Sequence, residues 1–215
     1  MTPTSKGSPA TSQRREVLGR AFFERSPDEV ARDLLGAVMV IRSGRAVRRV
    51  SIHETEAYGG ADDPASHAYR GPTTRSSIMF GEAGRLYVYR SYGIHWCMNV
   101  VTERLGTAGA VLLRAGILVT GRGESSATAA RTSQLRGPGL LTRELGITGV
   151  DNGVDCCLGS PVRVRFERTS ACASSQIGVS SRVGISRGQE RMSRYFIVGS
   201  PAVSKLVGRP SAVAL

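Results

Sequence analysis

The chain has 215 residues, with 29 Lys and Arg against 17 Asp and Glu, a formal charge of +12 and a pI near 10.5. That length fits one domain, or one domain with a tail, and a hydrophobic fraction of 40% supplies a core and excludes a disordered chain. The nearest approach to a membrane span, Ala108 to Val119, is broken by Arg114, and the opening Met1-Thr-Pro-Thr-Ser-Lys carries no apolar stretch, so neither membrane contact nor a secretory signal is expected.

Residues 1–15 are Ser, Thr, Pro and basic side chains with little to bury, and read as a disordered basic arm. Ser26-Pro-Asp-Glu predicts a helix start: Ser26 caps, Pro27 suits the first position, and Glu29 closes a capping box. Val30, Leu34 and Leu35 form its buried stripe, and Gly36 stops it. Strands are expected over Ala37 to Ile41 and Val47 to Tyr58, with a turn at Gly44. A period of two places Val50, Ile52, Glu54, Glu56 and Tyr58 on one face, which begins apolar and ends with two carboxylates and a phenol. Gly59 to Pro72 reads as a loop. Strands follow over Arg85 to Ser91, Ile94 to Thr102 and Ala108 to Leu118, the first two joined at a Tyr92-Gly93 hairpin tip. Gly121 to Gln134 and Ser170 to Ser181 read as loops, Gly137 to Gly146 as a short helix, and Pro161 to Phe166, Arg182 to Ile185 and Arg194 to Val198 as strands. Without internal repeats or alternating strands and helices, the expected fold is α+β. It is a single domain over residues 16–205 with a curved, mainly antiparallel sheet, peripheral helices and a C-terminal tail over residues 206–215.

The surplus of positive charge is the electrostatic footprint of a protein that meets phosphate backbones. The four cysteines, Cys97, Cys156, Cys157 and Cys172, lack zinc-ligand spacing and read as small buried hydrophobes. His53, His67 and His95 form no metal motif, so no metal is expected, and His67 reads as a hydrogen-bonding pocket residue. Lysine is confined to Lys6 and Lys205, which argues against Schiff-base chemistry. Glu56, near a strand end beside Tyr58, has the setting of a general base, although spacing alone leaves open that Glu54 and Glu56 only pair with surface arginines. Tyr87 and Tyr89 share a strand face. Tyr92, at a hairpin tip beside Arg90, could enter a nucleic-acid stack as a wedge.

Eight segments in order carry a resemblance. They are Glu54-Thr-Glu-Ala-Tyr58-Gly59, Asp63-Pro-Ala-Ser-His67-Ala68, Met79-Phe-Gly81, Tyr87-Val-Tyr89 through Cys97-Met-Asn99-Val-Val101, Val111-Leu-Leu-Arg114-Ala115, Gly137-Pro-Gly139, Arg182-Val-Gly-Ile185 and Gly199-Ser-Pro201-Ala-Val-Ser204. Together, from about Leu18 to Ser204, they resemble the alkyladenine (3-methyladenine) DNA glycosylase family. The resemblance implies a monofunctional, cofactor-free, monomeric hydrolase that flips damaged purines from double-stranded DNA. Composition points to a cytoplasmic protein, expected to be nucleoid-associated if bacterial. By position, Glu56 resembles the base that activates water, and Arg114 a residue supporting the catalytic site and nearby DNA backbone. Tyr58, His67 and Tyr89 resemble the base-pocket walls, Asn99 the residue that disfavours guanine's exocyclic amine, and Tyr92 the one that fills the gap. Alkylation at N3 or N7 makes the purine cationic, and tyrosine faces attract cations by about 0.5–2 kcal/mol per good contact. The sequence departs from the family pattern at Ser76, Leu140 and Ala202, where Asn, Lys and Trp are usual, and at Met192 to Phe196. A catalytically weak damaged-DNA-binding protein and an RNA-binding module are the alternatives. The second has charge alone in its favour.

Overall fold

The computed structural model describes residues 16–119, 134–158, 163–168, 172–204 and 211–212. The arm at 1–15 and nearly all of the loop expected at 121–134 lie outside them. Within the described residues an eleven-stranded sheet dominates, and every strand pair is antiparallel. Its strands are β1 (Glu16–Val17), β2 (Val38–Ser43), β3 (Ala46–Tyr58), β4 (Leu86–Ser91), β5 (His95–Val101), β6 (Ala110–Leu118), β7 (Gln134–Arg136), β8 (Val164–Arg168), β9 (Ile177–Ser180), β10 (Arg194–Ile197) and β11 (Ser211–Ala212). Three α-helices among the described residues, α1 (Arg20–Phe23), α2 (Pro27–Asp33) and α3 (Pro138–Leu145), make this an α+β domain.

The long strand β3 organises the sheet. One of its edges takes β2 along residues 46–51 and then β10 along 54–56, while the other takes β6. From β2 the sheet runs outward through β8 to β1, and from β10 through β9 to β11. From β6 it runs through β5 to β4, with β7 on the same edge of β6 as β5, further along at residues 115–117. No described helix is long and apolar enough to cross a membrane.

Helix α2 begins as its sequence dictates, with Ser26 and Glu29 exchanging the two bonds of a capping box and Pro27 at the first position. Val30, Ala31, Leu34 and Leu35 are buried in the main core with Met39 and Ile41 of β2 and Phe166 of β8. That packing, more than the intrinsic propensity of a seven-residue helix, holds α2 in place.

One expectation about β3 is corrected. The register against β6 shifts on either side of Glu54, so the alternation is interrupted there. Val50 and Ile52 face the main core, and after the irregularity Ala57 rejoins that core while Thr55 donates to the Ala31 carbonyl of α2. Glu54, Glu56 and Tyr58 are turned to the opposite face. A bulge of this kind re-aims side chains next to a site, which a strict period of two cannot anticipate.

A second correction concerns residues 177–185. The strand lies at Ile177–Ser180, where a loop is expected, and 182–185 is irregular. Gly178 obscures the strand in the sequence, yet it pairs with Phe196, whose ring occupies the space a Cβ would need. Gly184, with φ +77°, and the outward ties of Arg182 and Val183 prevent 182–185 from pairing. The two-residue β1, the four-residue α1 and β7 are further elements that the sequence pattern does not announce.

Candidate active site

Beneath the sheet's polar face, β3 and β6 bring two carboxylates onto one guanidinium. Arg114 donates from Nε to Glu54 Oε1 at 2.8 Å and from Nη1 to Glu56 Oε2 at 3.1 Å. Glu56 also accepts from the Tyr58 hydroxyl at 2.8 Å, on Oε2, and from the Val183 amide at 2.7 Å, on Oε1. Both carboxylates are 0% exposed. Both carboxylates do pair with arginine, but with the buried Arg114 and Arg194 and not with the surface arginines that the spacing left open. Burial pushes the Glu54 carboxyl up, but Arg114, Arg194 and the Ser204 amide and hydroxyl outweigh it and hold it below its ordinary value. Burial, together with the negative neighbour Glu56, lifts the Tyr58 hydroxyl far above its ordinary range, so it stays a donor.

Above this floor opens a cavity of about 760 Å³ whose lining includes Tyr58, His67, Tyr89, Asn99 and Arg114, and reaches Tyr92 at its rim. These six of the seven expected site residues share one space. Glu56 sits one residue behind the wall, but Tyr58, Arg114 and Val183, all bonded to it, line the cavity. The volume accommodates a purine, within the 300–1,000 Å³ common for small-molecule sites.

The walls are aromatic. The Tyr87 and Tyr89 rings lie 5.2 Å apart, and His67 meets Tyr89 edge-on at 4.7 Å. The Tyr87 hydroxyl is 2.7 Å from His67 Nδ1, so the ring holds the single hydrogen bond expected of a pocket histidine. Burial, reinforced by the Arg75 guanidinium, pushes the His67 imidazole down to about 4, leaving it neutral near pH 7. Asn99 donates from Nδ2 to the Tyr87 carbonyl at 3.0 Å, which fixes its orientation in the lining.

The rim contrasts with the floor. Strands β4 and β5 form the expected hairpin, and Tyr92 at its tip is 89% exposed with φ +50°. A bulky residue at positive φ is uncommon and carries a conformational cost. Arg90 stacks on Trp96 at 5.2 Å, bracing the hairpin just below the tip.

Several contributors escaped residue-by-residue reading. Arg182 forks onto Asp63 at 2.6 and 2.7 Å and lies 4.6 Å from the Tyr58 ring centroid, backing that wall. Arg75 lies 4.7 Å from the Tyr89 centroid, and Arg194 and Ser204 bind Glu54. Asp63, Arg182, Arg194 and Ser204 occur within or beside the quoted motifs, but pairings across more than a hundred residues leave no local signal. The departures from the family pattern are absorbed by packing: Ser76 bonds back to Thr73, Leu140 lies against the core, and Ala202 is fully buried. Cys97 and Cys156 are buried, whereas Cys157 and Cys172 are half-buried, and all four are free thiols.

Comparison with known proteins settles the family. Residues 21–201 match the family model described as methylpurine-DNA glycosylase (MPG). The chain belongs to the methylpurine-DNA glycosylase family. Its relatives include proteins named "Putative 3-methyladenine DNA glycosylase" from three bacteria. The Frankia casuarinae protein is 41% identical, covering 95% of this chain and 96% of the relative. That of Rhodococcus jostii is 40% identical over 94% and 91%, and that of Bradyrhizobium diazoefficiens 42% over 95% and 98%. Glycosylases of this family are hydrolases of the N-glycosidic bond, which puts a DNA substrate and a repair role on this scaffold.

Proposed function

We propose that the protein excises alkylated purines, 3-methyladenine-like lesions among them, from duplex DNA. The damaged nucleotide rotates out of the stack into the cavity, and Glu56 activates the water that attacks its sugar carbon. Extrusion costs a few kcal/mol, and less for a weakly stacked damaged pair. The observation that carries this reading is Glu56 directly behind a purine-sized aromatic cavity. An ionised carboxylate offers about four lone-pair directions. Two bonds fall on Oε2 and one on Oε1 among the described residues, which leaves Oε1 able to accept from a water. Tyr58, His67 and Tyr89 grip the base, Asn99 screens its edge, Tyr92 fills the vacated stack, and Arg114 holds Glu56 in place. A cationic base is already a good leaving group, so the carboxylate and water suffice.

The full burial of Glu56 favours a second reading, a damaged-DNA binder with little hydrolytic power. Release of free base from alkylated duplex DNA separates the two. Wild-type protein should release base, and Glu56→Gln should lose excision by about 10²–10⁴-fold while still binding damaged duplex. Wild type that binds without releasing base supports the binder. Near-normal single-turnover excision by Glu56→Gln removes Glu56 from its role.

A further inference from the structure

Glu54 takes no part in the reaction just described, yet it is bonded as fully as any group in the site. Among the described residues it accepts four hydrogen bonds: on Oε1 from Arg114 Nε at 2.8 Å, Arg194 Nε at 2.8 Å and Ser204 Oγ at 2.7 Å, and on Oε2 from the Ser204 amide at 2.7 Å. These donors come from β6, from β10 and from the segment after β10. Arg194 is itself 0% exposed and donates to Ser180 Oγ of β9 and to the Ser204 carbonyl, both at 3.2 Å. A carboxylate is buried only at high cost unless it is paired and bonded in this way.

The guanidinium of Arg114 is a rigid planar fork. Once Glu54 holds its Nε, the direction in which Nη1 meets Glu56 is fixed. We propose that Glu54 is a positioning residue: it locks Arg114, and through Arg114 sets the orientation and electrostatic surroundings of Glu56, while Arg194 and Ser204 hold Glu54. This rests on Glu56 being the base.

Charge follows the same chain. Glu54 and Glu56 balance Arg114 and Arg194, a neutral set of four buried side chains. The other groups facing Glu56 are Tyr58 on β3, Cys97 on β5, and Arg182 with the Val183 amide from the segment after β9. Arg182 has its own carboxylate in Asp63, so replacing Glu54 leaves that balance untouched.

Glu54→Gln keeps the shape and removes the charge, leaving two arginines for one carboxylate. Single-turnover excision should fall by about 100-fold, as expected when a reacting group is misplaced by a small distance, with affinity for damaged duplex within a few-fold of wild type. The acid limb of the pH–rate profile should move to lower pH, because a carboxylate facing added positive charge ionises more readily. Glu54→Gln with Arg194→Gln restores neutrality and should bring the limb back. Ser204→Ala, which removes one donor and no charge, covers the case in which Glu54→Gln does not fold, and should lower the rate several-fold with binding intact. A wild-type rate per folded molecule and an unmoved acid limb in Glu54→Gln would overturn the proposal, as would a wild-type rate in Ser204→Ala. Glu56→Gln run alongside separates two failures. A dead Glu56→Gln beside an unaffected Glu54→Gln overturns positioning alone, whereas an active Glu56→Gln overturns the base assignment and the positioning role with it.

Discussion

The floor of the cavity and the hairpin at its rim lie on the same sheet and are built on opposite terms. On the floor, Glu54, Glu56 and Arg194 are wholly buried and every carboxylate oxygen is engaged, the donors coming from β3, β6, β10 and the segments after β9 and β10. At the rim, Tyr92 is almost wholly exposed and held in a sparsely populated backbone region by a turn with Gly93. The floor gains geometry from mutual bonding, which fixes the groups that the proposed proton transfer needs in place. The rim keeps an apolar ring unburied in the free protein, available to a partner that has a gap to fill. Substitutions should therefore cost stability on the floor and function alone at the tip.

The largest effect is expected where the floor's supports are broken. Asp63 is 1% exposed and takes both forks of the Arg182 guanidinium, which backs Tyr58. Asp63→Ala strands that guanidinium, and a buried charge without its partner costs about 3–5 kcal/mol. Equilibrium urea unfolding measures it. A loss below about 1 kcal/mol would give the pair the worth of a surface salt bridge and weaken the contrast between floor and rim.

Next comes the tip. Tyr92→Ala should leave the melting temperature close to wild type, because little area is lost from the fold, while the extruded state becomes less populated. A base-stacking wedge worth about 1–3 kcal/mol corresponds to a roughly 5- to 150-fold change. Extrusion is followed with a fluorescent base analogue in duplex DNA. Tyr87→Ala is the control, since Tyr87 is 3% exposed and bonded to His67, and its loss should show in thermal stability. Early melting with normal extrusion in Tyr92→Ala would make Tyr92 structural and erase the distinction.

The same contrast explains what could be read from the sequence. The hairpin, the capped helix α2 and most strands were legible because their causes are local: a Tyr-Gly turn, a Ser-Pro-Asp-Glu start, alternating apolar residues. Seven candidate site positions were named through ordered motifs, and six of them line one cavity. The irregularity at Glu54 was not, because nothing in Ile52-His-Glu-Thr announces which residue breaks the alternation. Nor were Asp63–Arg182 and Glu54–Arg194, whose partners are 119 and 140 residues apart. Their pairing is decided by which strands become neighbours, and the misplaced strand at 182–185 shows how a short apolar stretch misleads once a buried arginine and a glycine at positive φ intervene.

The smallest effect belongs to the wall between floor and rim, and it is a pH dependence. His67 ordinarily titrates near 6.5, but burial and the nearby Arg75 guanidinium push it down to about 4 in the folded protein. Between these values the unfolded chain binds a proton that the folded chain does not, so stability rises with pH across the interval and falls on acidification from about 6.5 toward 4. His53, half-buried with Nδ1 2.7 Å from Ser200 Oγ, is lowered in the same direction and contributes to the same slope. Glu54 and Asp63, held below their ordinary values, act in a separate window, losing their contribution as pH falls through the carboxylate range. His67→Gln should therefore flatten the dependence of unfolding free energy on pH between 6.5 and 4.5 without abolishing it, and His67→Gln with His53→Gln should flatten it further. Because His67 keeps part of its surface toward the open cavity, the change should be smaller than the loss in Asp63→Ala. An unchanged slope in His67→Gln would mean that the imidazole already charges freely in the folded pocket. The wall would then belong with the adaptable rim and not with the fixed floor.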